Sequence, residues 1–156
     1  MNAFLIILDA ALICLGGYYL FWQSKIDVRG AYSTFQLVMA VFFGFWFVST
    51  GVGNMYYVVF MAAFLTLTVM TGSTGLTPTR LINVGLFSRV IPYTRLVGVT
   101  LTPLQLPNGQ SMVVAVFGLS ARRFVRLTFR SDLQSLISIL RPRVPQNIEI
   151  RIQQVQ

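Results

Sequence analysis

Few side chains in this sequence could do chemistry. The chain has no histidine, one cysteine and four acidic residues against twelve Lys and Arg. Catalysis needs a nucleophile, a general base or a bound metal ion. A metal site in turn needs several ligand side chains close together. Two of the acids, Asp132 and Glu149, are suited to a helix N-terminus and an edge strand. We therefore expect a non-enzymatic protein with no cofactor and no metal.

The clearest charged feature is a cluster of arginines within RRFVRLTFR, residues 122–130. Its members are Arg122, Arg123, Arg126 and Arg130. Such a cluster could bind anionic lipid headgroups, at about 1 kcal/mol per charge near the surface, or a protein partner. The alternative is a solvated face, because cytoplasmic segments beside a membrane are basic in any case. Nucleic acid is not an expected partner, because few aromatic side chains lie among the basic residues to stack on bases.

A stripe of polar and small residues interrupts the first apolar stretch. Asp9 is its only acidic residue, and a carboxylate in hydrocarbon costs about 2.5 to 3.5 kcal/mol. Residues spaced by seven share one helix face, which predicts a packing seam against another protein or another copy. These residues are Asn2, Asp9, Gly16 and Gln23. The alternative is that Asp9 reaches external water. Ala40 and Gly44 form a second small pair that could admit a neighbouring helix.

The composition is that of a membrane protein, with 55% hydrophobic and 10% charged residues and a mean hydropathy of +0.71. Residues 3–22 match the roughly 20 apolar residues that cross a bilayer. The apolar run 35–70 would be about 54 Å long as one helix, so it is expected to turn back at TGVGN. The sequence thus predicts three transmembrane helices near 3–22, 34–50 and 55–71. One long helix with a glycine kink is the alternative.

Charge asymmetry predicts the orientation. Lys25 and Arg29 lie between the first two predicted spans, and ten of the twelve basic residues follow residue 71. By the positive-inside rule, the first loop and the tail are cytoplasmic and the N-terminus is outside. The expected location is a bacterial cytoplasmic membrane, crossed several times.

Residues 72–156 change to a two-residue period, which is typical of strands. Five strands are predicted within 76–83, 86–92, 96–103, 111–118 and 122–129, with a type I′ hairpin turn at Asn108–Gly109. Ser131 and Gln134 form a capping-box pattern that predicts an amphipathic helix, which ends before Pro142. The final NIEIRIQ predicts a short edge strand, or a tail that becomes one on binding. The expected fold is an antiparallel sheet closed by one C-terminal helix.

This layout resembles the bacterial pleckstrin-homology-like domains of small membrane proteins. The resemblance rests on GLFSRVIPYTRLVGVTLTP, in which Ile91, Pro92, Arg95 and Leu96 match a hydrophobic-Pro-x-x-Arg-hydrophobic turn. Three spans followed by a small domain are also similar to the YobD-like family. That resemblance implies no catalytic residues, and it implies a mannose-type sugar phosphotransferase permease as the neighbour.

These features favour an accessory or regulatory subunit that docks another integral membrane protein or forms a homo-oligomer. The polar stripe is the reason, because lipid binding alone would not require it. An adaptor that binds anionic lipid and a bacteriocin immunity protein are the alternatives.

Overall fold

The computed structural model describes residues 2–85 and 90–154, with side chains from residue 3 onward. The chain divides into two compact units. The helical unit comprises residues 2–25, 32–73 and 84–85. The β unit comprises residues 26–31, 74–83 and 90–154.

Three helices build the helical unit: α1 (Asn2–Ser24), α2 (Thr34–Thr50) and α3 (Met55–Met70). Helix α3 contacts both α1 and α2. The turn between α2 and α3 uses Gly51 at φ +85°, a conformation that favours glycine. Asn54 then caps α3, because its side-chain oxygen accepts a hydrogen bond from the Tyr56 N–H at 3.2 Å.

The prediction of three transmembrane helices is wrong. Helix α1 has 23 residues, about 34 Å, whereas α2 has 17 and α3 has 16, about 25 Å each. The hydrocarbon core is about 30 Å thick, so the two later helices fall short of it. Within the described residues only α1 is long and apolar enough to cross a membrane.

The first sheet of the β unit is antiparallel, in the order β1-β2-β3-β4. Its strands are β1 (Val28–Arg29), β2 (Gly75–Leu76), β3 (Arg80–Ile82) and β4 (Val90–Pro92). Strand β1 comes from the segment between α1 and α2, so the β unit combines residues that precede α2 with residues that follow α3. Gly75 is required there, because a Cβ at this position would lie 2.6 Å from the Val28 carbonyl oxygen.

The second sheet has the order β7-β6-β5-β8. Its strands are β5 (Gly98–Gln105), β6 (Ser111–Ser120), β7 (Arg123–Phe129) and β8 (Ile150–Ile152). The hairpin between β5 and β6 is confirmed, with Gln105 opposite Ser111. Its turn differs from the predicted type I′ turn at Asn108–Gly109. The Gly109 N–H donates to the Leu106 carbonyl oxygen at 2.9 Å, so Pro107 and Asn108 are the central residues, and proline holds φ near about −65°.

The core of the β unit is shared by both sheets and by α4 (Leu133–Leu140). Strand β7 contributes Val125, Leu127 and Phe129, which confirms the alternation read from the sequence. Helix α4 adds Leu136 and Leu140, both fully buried.

The expected single sheet closed by one C-terminal helix is wrong. The unit has two sheets, and after α4 the chain returns as β8, which pairs in parallel with β5. The capping box is also absent. Asp132, not Ser131, is the N-cap of α4, it makes no side-chain cap hydrogen bond, and the Ser131 Oγ has no partner among the described residues.

One ion pair joins distant parts of the β unit. The Arg143 guanidinium binds the Asp27 carboxylate with both of its Nη atoms, and Arg143 Nη1 also donates to the Thr77 carbonyl oxygen at 3.3 Å. The Tyr93 hydroxyl donates to the same carbonyl at 2.8 Å. Burial raises the pKa of Tyr93 to about 12, so this hydroxyl stays protonated as a donor. The hydrogen bond from Arg143 lowers the pKa of Asp27.

This lowered pKa predicts how the pair responds to acid. The stabilisation is present above the unfolded-state pKa of about 3.9 and is lost as the pH falls through the lower folded-state value. We expect Asp27→Asn to cost about 1 kcal/mol at pH 7, since the pair is partly exposed and screened. Thermal unfolding in mild detergent should show this difference shrinking as the pH is lowered below 4 or so. A difference that is the same at every pH would contradict this role.

Candidate functional site

The four arginines singled out in the sequence lie along one strand. Strand β7 is one of the two edge strands of the second sheet. The four arginines lie along it, from the turn before the strand to the residue after its end. We call Arg122, Arg123, Arg126 and Arg130 the arginine edge. All four side chains are exposed. The structure therefore brings together every residue of this predicted group.

The arginine edge is not neutralised by any of the residues that the structure describes. The ion pairs among the described residues are Asp27–Arg143 and Glu149–Arg151, and neither includes a residue of the edge. The nearest acidic residue in sequence, Asp132, makes no ion pair either. The edge thus presents positive charge to its surroundings with no internal counterion.

Phe124 adds an apolar group to the arginine edge. Its side chain is 70% exposed, between Arg123 and Arg126 in the sequence. Positions 124, 126 and 130 share the outer face of β7, because alternate residues point to the same side. Phe124 was not predicted as a functional residue, although the alternation of side chains along β7 indicates that it faces outward. An exposed aromatic ring beside unpaired arginines is the arrangement that interfacial membrane contacts use.

A shallow groove lies on the outer face of the sheet, over strands β6, β5 and β8. Phe124 faces Gly118 on β6, and Arg126 faces Val116. Gly118 in turn faces Gly98 on β5, so two residues without side chains form the floor. The groove has a volume of about 570 Å³. Its charged lining residues are Glu149 and Arg151 of β8, and the four arginines of the edge do not line it, so the groove is not part of the arginine edge.

The polar stripe of α1 packs on α3 of the same chain. The Gln23 side chain donates to the Met70 carbonyl oxygen at 2.7 Å. A Cβ at Gly16 would lie 3.7 Å from the Leu67 side chain, so the helices approach closely there. The side chain of Asn2 lies outside the described residues. Whether the stripe also meets another protein stays a prediction.

Asp9 is buried inside the helical unit, with 6% of its surface exposed. Its Oδ1 has no hydrogen-bond partner among the described residues. This burial does not fit the alternative in which the carboxylate reaches water. It places the acid on the helix face that carries Gly16 and Gln23.

Ala40 and Gly44 lie on α2. Ala40 is buried, and a Cβ at Gly44 would lie 3.8 Å from the Leu65 side chain of α3. The small residues of α2, like Gly16 of α1, therefore lie where the helix packs against α3.

The described residues offer little for catalysis or metal binding. Across residues 2–85 and 90–154, no three His, Cys, Asp or Glu side chains are grouped as metal ligands. Cys14 is exposed and is the only cysteine. The arginine edge is therefore the most developed candidate site.

Comparison of this chain with protein-family models, with curated proteins and with solved structures found no match.

Proposed function

We propose that this protein is a non-enzymatic membrane adaptor that binds anionic lipid through the arginine edge of its β unit. The observation that carries the proposal is the row of four exposed arginines with no ion-pair partner in the described part of the chain, together with the exposed ring of Phe124. Lipid phosphates supply the missing negative charge, at about 1 kcal/mol per arginine near the surface. The phenyl ring adds burial in the interfacial region.

Helix α1 anchors the protein in this proposal. It is long and apolar enough to cross a membrane, and only 11% of its span is buried in the chain. Helix α2 likewise exposes large apolar side chains, among them Phe45 and Val48. Monomeric soluble proteins seldom expose large contiguous apolar patches, so these surfaces favour an apolar environment over water. These exposed apolar side chains are proposed to lie against lipid, with α1 as the one helix that crosses the membrane.

The proposed orientation has the N-terminus outside and the β unit in the cytoplasm of a bacterial cell. Lys25 and Arg29 follow α1, and the basic residues of the β unit lie on the same side of it in the sequence. Positive charge is retained on the cytoplasmic side. The cytoplasmic leaflet also carries the anionic lipids that the arginine edge would bind.

Lipid is proposed ahead of a protein partner because α3 already packs on the polar stripe. Gln23 bonds to Met70, and Gly16 lies beside Leu67. The feature that favoured an accessory subunit thus has a use within one chain. Docking of another membrane protein stays a prediction without an assigned surface.

Hydrogen exchange of the full-length protein in lipid nanodiscs tests the proposal. Discs that contain acidic phospholipid should protect the amides of residues 122–130 more than discs of neutral lipid. Roughly 0.5 M salt should remove most of that difference, because the Debye length falls to about 4 Å. Changing Arg126 and Arg130 together to Gln should weaken the protection about tenfold or more, at about 1 kcal/mol per charge.

Arg141→Gln is the matched control for these substitutions. Arg141 is exposed and is the C-cap residue of α4, outside the arginine edge. It should leave the protection of residues 122–130 unchanged. Equal protection in acidic and neutral discs would contradict lipid binding by this edge.

A further inference from the structure

The C-terminal strand β8 leaves one edge of the second sheet open. It stands last in the order β7-β6-β5-β8, so a strand neighbour lies on only one of its sides. The other side carries backbone groups that can pair with another strand. The segment Ile148–Ile152 reads Ile-Glu-Ile-Arg-Ile, which is alternating and rich in β-branched residues.

The hydrogen bonds to β5 show which backbone groups point outward. The Glu149 carbonyl accepts from the Val99 N–H at 3.3 Å, and the Gln153 N–H donates to the Leu101 carbonyl at 2.9 Å. The N–H and C=O of one residue point to the same side of a strand, and the side alternates along it. The backbone groups of Ile150 and Ile152 therefore point to the open edge.

The same segment is complementary to itself when it runs antiparallel. Placing Ile150 opposite Ile150 of a second copy puts Glu149 opposite Arg151, and Arg151 opposite Glu149. It also puts Ile152 opposite Ile148. Each acidic side chain then faces a basic one, and each isoleucine faces an isoleucine. Both kinds of cross-strand pair are stabilising.

The backbone requires this same register. In an antiparallel ladder, facing residues alternate between pairs that exchange hydrogen bonds and pairs that do not. Ile150 points its N–H and C=O outward, so it must sit at an exchanging pair, as it does at the centre of this register. Glu149 and Arg151 then form the closer, non-exchanging pair. The Ile148 N–H is already donated to the Pro145 carbonyl at 3.1 Å, so Ile148 contributes its carbonyl.

We propose that two copies of this chain associate by antiparallel pairing of β8 with β8, centred on Ile150. The occupant is a second copy because the segment matches itself in charge. The side chains of Glu149 and Arg151 are 78% and 77% exposed, and Ile152 is half exposed. Pairing covers Ile152 and extends the second sheet across both copies.

The opposite edge of the sheet does not offer the same association. Two copies that met at β7 would bring together Arg126 and Arg130, which share one face of that strand, and β7 carries no acidic residue to face them. Like charges directly opposite are destabilising. The backbone at one end of that edge already has a hydrogen-bond partner, because the Ala31 N–H donates to the Thr128 carbonyl.

Charge reversal in the full-length protein tests the pairing in mild detergent by light scattering. Glu149→Arg and Arg151→Glu should each weaken the dimer about tenfold or more, since each places like charges opposite at two positions. The double variant should restore the dimer. An equimolar mixture of the two single variants should form a mixed dimer, which the ion pair within one chain does not explain.

Cysteine cross-linking tests the register without relying on charge. In a Cys14→Ser background, chains with Glu149→Cys and chains with Arg151→Cys are mixed and oxidised. The facing Cα atoms of a non-exchanging pair lie about 4.5 Å apart, within the range that a disulfide spans. The mixture should cross-link far more than either variant alone. A monomeric wild-type protein, single variants that dimerise as the wild type does, or equal cross-linking in all samples would overturn the proposal.

Discussion

Phe129→Ala should unfold the β unit or bring it close to unfolding. Phe129 is fully buried at the end of β7, in the core that both sheets and α4 share. Removing a buried aromatic ring costs about 3 to 5 kcal/mol, through lost burial and the cavity that remains. Domains are stable by only about 5 to 15 kcal/mol, so this loss is a large fraction.

Thermal unfolding in mild detergent measures this effect, with Phe124→Ala as the matched control. Phe124 lies on the same strand but is exposed, so its truncation should change the midpoint little. Equal shifts from the two variants would mean that the core is not where the structure places it.

Ile13→Arg should prevent α1 from crossing the membrane. Ile13 lies near the middle of α1 and is exposed on its surface, where it would meet lipid. An arginine at the centre of a span costs about 3 kcal/mol relative to isoleucine, which lowers insertion roughly a hundredfold. An N-terminal tag should then lose its accessibility from outside intact cells.

Ile13→Leu serves as the control, because leucine is as favourable as isoleucine in a span. It should leave the tag accessible. A tag that is equally accessible in both variants would show that α1 does not cross as proposed.

The regular parts of the fold could be predicted from the sequence. Strand β7 shows the two-residue period, and Val125, Leu127 and Phe129 are buried as that period requires. The ends of α2 and α3 also follow the glycines and Asn54 between them. The error lay in assigning a membrane crossing to helices of 17 and 16 residues.

The short strands could not be predicted, because two residues carry no period. Strands β1 and β2 form only because Val28 pairs with Leu76, which then pairs with β3. The ion pair between Asp27 and Arg143 joins residues 116 positions apart. No local pattern signals a contact of that kind, since it depends on how the whole unit packs.

The candidate site was visible in the sequence only in part. The arginines were evident as a cluster within residues 122–130. That they lack ion-pair partners is a property of the folded unit. The polar stripe of α1 was identified from the spacing of its residues in the sequence. The structure adds that α3 of the same chain packs against it.

An environment-sensitive fluorophore at position 124 tests membrane contact of the arginine edge most directly. Phe124→Cys in a Cys14→Ser background gives a single labelling site, because Cys14 is the only natural cysteine. The labelled full-length protein is reconstituted into vesicles of acidic or neutral phospholipid. The same label at Asn108→Cys, on the exposed hairpin turn, serves as the control. A blue-shifted emission at position 124 that requires acidic lipid, reverses with salt and is absent at position 108 is the expected result. Emission at position 124 that is identical in acidic and neutral vesicles would contradict the proposed lipid-binding function.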